Sequence, residues 1–182
     1  MRVSSRVIIL LALFASLISY AKFNYCVETG FATPSQYIHA CYSDIPALYG
    51  ERKLDQGTWP YSSGADSVEY PVVQGVLMWA TAGLLPSGHT QYFIGSAILL
   101  ALLFIVIALI VYRIKPEFAY LLPLAPAAVT SLYINWDLWA IATMLLAIYW
   151  FDRNALQLSA FALGISISRS EEHTSELQSR GL

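Results

Sequence analysis

The chain has 182 residues, of which 57% are apolar and 12% charged, with a net charge of −2. The charged share is about half that of a soluble domain, and the mean hydropathy is +0.56. These figures argue against a soluble globular enzyme and against disorder, which needs low hydrophobicity and high charge. The near-neutral balance offers no electrostatic footprint for nucleic acid.

Residues 7–21 form the first charge-free apolar run, flanked by Arg2 and Arg6 and by Lys22. Lys22 can snorkel, so Phe23 and Tyr25 can extend this span. The same run also has the outline of a signal peptide, but Ser19-Tyr20-Ala21 is an imperfect small-x-small site. With further spans downstream, the anchored reading is the stronger one.

Residues 22–91 differ in character. They carry both cysteines, Cys26 and Cys41, most of the mid-chain charge, and many Tyr, Pro and Gly residues. Ordered connections this long are unusual and often functional. On an oxidising exterior the two cysteines are disulfide candidates. Their spacing alone also allows two free thiols, and it resembles no zinc site. Residues 43–50 (Ser-Asp-Ile-Pro-Ala-Leu-Tyr-Gly) predict a short helix with Asp44 as N-cap, Pro46 in the first turn and Gly50 as the stop. Asp44 is thus either a capping residue or a carboxylate held at the membrane surface as a general base. A cap with one oxygen free would reconcile the two. Arg52 and Lys53 read as a solvated pair or as an attraction for a phosphate headgroup. Glu69, before Pro71, either complements a helix terminus or contacts substrate or the Asp44 loop. His39 and His89 are isolated, and no metal site is expected.

No formal charge occurs between Tyr70 and Tyr112. Within it, residues 71–85 predict an interfacial helix with Trp79 at headgroup depth, and residues 92–112 a full span, since 21 residues at ~1.5 Å each cross a ~30 Å hydrocarbon core. Residues 118–136 predict a third span, 138–151 a fourth, and 154–168 a fifth. Asp137, between Trp136 and Trp139, is either a turn residue at the aqueous edge or a functional carboxylate near membrane depth. A chain this size cannot hide so many wholly apolar helices from water, so lipid is the expected solvent. The fold class expected is all-α, a polytopic transmembrane helical protein.

Orientation follows from Lys and Arg in the short connections. Arg2 and Arg6 put the N-terminus in the cytoplasm, and Arg113, Lys115 and Arg153 fall on the same side if residues 71–85 do not cross. Residues 22–91 then form one large extracytoplasmic segment. The rival scheme, in which 71–85 is a true span, puts Arg113 and Lys115 outside and ranks second. No P-loop, dinucleotide fingerprint, zincin motif, nucleophile elbow or internal repeat is present.

The stretch from His39 to Tyr49 (HACYSDIPALY) resembles the first outer loop of actinobacterial membrane glycosyltransferases of family 87. These are polyprenyl-phosphate-mannose-dependent mannosyltransferases of the GT-C class. Further matching pieces are Trp59-Pro60-Tyr61, Glu69-Tyr70-Pro71-Val72 with Gly75, Met78-Trp79, and Asn135-Trp136-Asp137, together with Cys26, Gly30 and Phe31. The resemblance covers residues 1–168, which form one GT-C-like N-terminal membrane part with a large first extracytoplasmic loop. It implies a multi-pass inner (plasma) membrane protein that moves a sugar, mannose in the family, from a polyprenyl-phosphate donor to a glycolipid or cell-envelope glycan acceptor. Asp44 falls on the family's catalytic base. Glu69, Asp137, Tyr42 and Arg52 are substrate-binding candidates, and no cofactor or metal is implied. The competing class is a non-enzymatic polytopic membrane protein, a transporter or assembly subunit, in which Asp44 only caps a helix and Asp137 lines a pathway.

Composition flips abruptly near residue 169. The string from Arg169 to Ser179 resembles the in-frame translation of a short-read sequencing adapter. The expectation is that 169–182 is not native and that the chain is the N-terminal part of a longer enzyme, incomplete and inactive as written.

Overall fold

A computed structural model of the chain describes residues 3–62, 67–68, 70 and 72–167, and all regular structure among them is helical. Helix α1, Ser5–Thr29, starts at a Ser4 cap that accepts from the Val7 N–H and stops at Gly30, whose φ of 66° is the left-handed cap conformation. Its 25 residues rise ~37 Å, beyond a hydrocarbon core, so its outer turns, with Cys26, project past the apolar zone of any bilayer it crosses. One stripe, including Ile8, Ala12, Ala15, Ser19 and Phe23, is buried, while Leu10, Phe14 and Leu17 on the other side are open, Leu17 at 68%. A helix apolar on all sides with only one stripe covered by protein suits lipid rather than water.

Helix α2, Ser35–Ile38, and helix α3, Asp44–Glu51, follow in the segment after α1, with a single 3-10 turn at Leu54–Gln56. Helix α4, Val72–Leu84, has 13 residues and rises only ~20 Å, short of a crossing. It buries Gln74, Gly75, Met78 and Thr81 and exposes Val72, Trp79 and Leu84. Gln74 and Thr81 lie on the side that faces protein, and Val72, Trp79 and Leu84 on the side that faces out. Trp79 donates from Nε1 to the Gly57 carbonyl at 3.1 Å, and its ring meets Trp59 edge-on at 5.3 Å.

Helix α5, His89–Ile114, packs along α1, and small side chains are among the buried residues of both, Ala12, Ala15 and Ser16 in one and Ser96, Ala97 and Ala108 in the other. Small residues let two backbones approach closely where dispersion replaces the hydrophobic effect. Phe23 and Phe93, with centroids 5.3 Å apart, close the end of this seam nearest Cys26, and Tyr20, Phe31 and Tyr133 surround them. α1 and α5 are the two helices long and apolar enough to cross a membrane among the described residues.

The third expected span is not one helix. Residues 118–136 break into helix α6, Leu121–Leu124, helix α7, Pro126–Ser131, and turns. Pro123 and Pro126 lack the N–H that would continue the ladder, and Ala125, before Pro126, is forced extended at ψ 124°. One freed carbonyl finds a side-chain partner, Lys22 Nζ donating to the Thr130 carbonyl at 3.0 Å, and the Tyr133 hydroxyl ties the segment back to α1 by donating to the Ser16 carbonyl at 3.2 Å. This segment lies against α1.

Helix α8, Leu138–Asp152, and helix α9, Leu156–Ile167, form an antiparallel hairpin. The register follows from two hydroxyls, Ser159 donating to the Ala147 carbonyl at 2.8 Å and Ser166 to the Ala140 carbonyl at 3.1 Å. Both helices are apolar but shorter than a straight crossing requires. Residues 169–182, where composition flips, lie outside the described residues.

Candidate functional site

The site is built on a ring closed by a disulfide. Cys26 in the last turn of α1 is bonded to Cys41, with Cα atoms 6.0 Å apart. α2 lies inside this ring, and the Cys41 N–H donates to the Gln36 carbonyl at 3.0 Å. Three residues after Cys41 comes Asp44, so the disulfide fixes the approach of that carboxylate to the end of α1.

Asp44 is not the helix cap. Ser43 is: its Oγ accepts from the Ile45 N–H at 3.2 Å and donates to the Tyr133 carbonyl at 2.7 Å. The Asp44 N–H in turn donates to the Ile134 carbonyl at 2.8 Å. The start of α3 is therefore stitched to the turn that follows α7, and the Asp44 carboxylate has no capping work. It stands as the first residue of α3, where a negative charge complements the helix dipole.

Both carboxylate oxygens meet phenols instead. The Tyr42 hydroxyl donates to Oδ1 at 2.7 Å, and the Tyr70 hydroxyl to Oδ2 at 3.2 Å. Each oxygen keeps a second lone pair, and Asp44 is only half-buried. The carboxylate is thus held in place by two donors and still able to accept a proton from a hydroxyl presented from outside. Burial first, and then the hydrogen bond to Asp44 and its charge, push the Tyr42 phenol well above its ordinary 10.0. Tyr42 therefore stays a neutral donor. Behind Tyr70, the Tyr61 hydroxyl donates to the Tyr70 carbonyl at 2.9 Å. A Cβ at Gly75 would collide with that same hydroxyl, so glycine is needed there for close approach.

The other expected residues fall elsewhere. Arg52 caps the far end of α3, eight positions and ~12 Å of helical rise from Asp44. Asp137 is exposed, and its Oδ2 accepts from Asn135 Nδ2 at 2.6 Å while its N–H donates to Asn135 Oδ1 at 3.2 Å. That is a turn clasp one short step beyond the Ile134 carbonyl that holds Asp44. Glu69 lies outside the described residues. His39 stacks on Tyr25 at 3.7 Å, and His89 Nδ1 donates to the Pro46 carbonyl at 3.0 Å. Among the described residues no group of three potential ligands gathers for a metal.

Tyr70, Tyr61 and Ser43 were missed as site residues by sequence reasoning. Tyr70 lies 26 positions from Asp44, and no local pattern announces such a pairing. Comparison with known protein families, with curated proteins and with solved structures finds no match.

Proposed function

We propose that this chain supplies the carboxylate-bearing membrane part of an inverting glycosyltransferase that uses a polyprenyl-phosphate sugar, with Asp44 as general base. The observation that carries the reading is the Asp44 carboxylate, relieved of capping by Ser43 and oriented by the phenols of Tyr42 and Tyr70. The resemblance of residues 39–49 to the family 87 outer loop supplies the reaction class, and mannose is the sugar that resemblance favours.

The chemistry needs one base. The acceptor hydroxyl gives its proton to Asp44 as its oxygen bonds to the anomeric carbon. The bond from that carbon to the phosphate oxygen breaks on the opposite face, and polyprenyl phosphate departs with the electron pair. A single displacement inverts the anomeric centre, as in other one-step sugar transfers. The leaving group is already an anion-stabilising phosphate, so no strong general acid is required.

The membrane setting accords with the rest of the chain. The open apolar faces of α1 and α5 suit acyl chains, and an apolar donor tail would lie beside them. With Arg2 and Arg6 retained in the cytoplasm, α1 leads outward, and the ring closed by Cys26 and Cys41 meets an oxidising exterior where disulfides persist. The acceptor is then an extracytoplasmic glycolipid or glycan.

The test is Asp44→Asn in the protein expressed from its complete reading frame, assayed with polyprenyl-phosphate-[14C]mannose in membranes. Loss of transfer by ~100-fold or more with unchanged membrane insertion is expected of a general base. Undiminished transfer removes Asp44 from the mechanism.

A further inference from the structure

Beside the carboxylate stands an aromatic surface that no role yet explains. Tyr37, on α2, is 59% exposed, and its ring stacks on that of Tyr42 at 5.3 Å with 18° between planes. The Tyr42 hydroxyl is the one that donates to Asp44 Oδ1. One face of the Tyr37 ring is therefore covered by Tyr42, and the exposure of the ring leaves the other open, one ring beyond the phenol that holds the proposed base.

The platform is rigid for a surface feature. α2 sits within the disulfide-closed ring. Its Gln36 is buried and donates from Nε2 to Thr33 Oγ at 3.0 Å, and the Ala40 N–H donates to the Tyr37 carbonyl at 3.3 Å. An exposed ring held this firmly loses little freedom when something lies on it.

A flat apolar ring one side chain away from a carboxylate matches one chemistry well. A pyranose presents a face of C–H groups to an aromatic ring and a rim of hydroxyl donors to carboxylates. We propose that Tyr37 is the stacking platform for a second sugar unit of the acceptor. The unit carrying the attacking hydroxyl lies at Asp44, and its neighbour lies on Tyr37. The acceptor is then a glycan of at least two sugars rather than a bare lipid alcohol. This subsite rests on the transferase reading for its role, but its sugar binding is measurable without transfer.

The experiment uses the full chain in lipid nanodiscs and neutral mannotriose as probe, with saturation-transfer NMR giving the Kd. Tyr37→Ala and Tyr37→Leu should each weaken binding about tenfold, the scale of one aromatic stacking contact. Tyr37→Trp should retain it. Leucine keeps bulk and apolar character but has no flat face, so it separates sugar stacking from simple contact with lipid. Equal binding by wild type and Tyr37→Leu overturns the subsite, as does absence of mannotriose binding by the wild type. Binding lost in Tyr37→Leu, beside transfer that persists in Asp44→Asn, would keep the sugar subsite while removing the general-base reading.

Discussion

Removing the Cys26–Cys41 bond tests how the carboxylate is held. The double substitution Cys26→Ala/Cys41→Ala deletes the crosslink without leaving thiols. The bond joins residues 15 apart, and closing a loop of that length removes denatured-state entropy equivalent to about 3 kcal/mol. In the variant, local opening of the ring should become easier by that amount. At ~1.4 kcal/mol per factor of ten, amide protection should fall about 100-fold. The reporter is the Asp44 N–H, bonded to the Ile134 carbonyl at 2.8 Å, followed by native-state hydrogen exchange in micelles. Amides in the middle of α8, such as Leu145, should keep their protection because they lie about a hundred positions from the crosslink, whereas Asp44 follows Cys41 by three residues. Asp44 protection within about threefold of wild type would refute the reasoning, and would mean that the contacts of Ser43 and Asp44 to residues 133 and 134 hold the site unaided.

Ser43→Ala should cost about 1–2 kcal/mol of thermal stability, since it removes a cap and the bond to the Tyr133 carbonyl, whereas Asp44→Asn should cost under about 1 kcal/mol; reversed magnitudes would return the capping role to Asp44. Gly75→Ala should destabilise by roughly 1–3 kcal/mol through its clash with the Tyr61 hydroxyl, and Tyr61→Phe in the same background should recover part of the loss. Tyr70→Phe should lower kcat for sugar transfer with KM nearly unchanged, because it frees the base to rotate without touching the donor; a pure KM effect would make Tyr70 a binding residue. For Tyr42 the folded pKa lies above the unfolded 10.0, so the folded state holds the phenolic proton more tightly. The stability this adds is complete below pH 10 and falls as pH rises past it. Ultraviolet titration should show this tyrosine ionising late in the wild type and earlier in Asp44→Asn, though burial should keep it above the ordinary value; identical titrations would deny the pairing.

α1 and α5 were legible because a charge-free run of helical length leaves few alternatives. The run at 118–136 was equally free of charge, and that continuity masked Pro123 and Pro126, whose missing N–H groups decide the backbone. The short helix at Asp44–Glu51 was legible in its start signals, but its two flanking details were not. Ser43 and Asp44 are both good caps, and the choice between them is made by the Tyr133 carbonyl, 90 positions away. Gly50 reads as a stop yet lies inside the helix, where a Cβ would come within 2.6 Å of His89 Cε1. Glycine was selected by a close approach rather than by a turn. Tyr42 was within reach of sequence reasoning through its place two residues before Asp44. Tyr70 and Tyr61 enter the site only through the fold.

The proposed transfer requires the carboxylate segment to lie outside the membrane and the basic turn after α8 to lie inside. Cys26 and Cys41 are unsuited to report this, being bonded and fully buried. Asp55→Cys and Arg153→Cys, made singly at exposed positions, place one reactive thiol on each side. A membrane-impermeant maleimide applied to intact cells should label Asp55→Cys at once and Arg153→Cys only after permeabilisation. Labelling of Arg153→Cys in intact cells with Asp55→Cys protected would invert the topology and take the proposed base away from its extracytoplasmic acceptor.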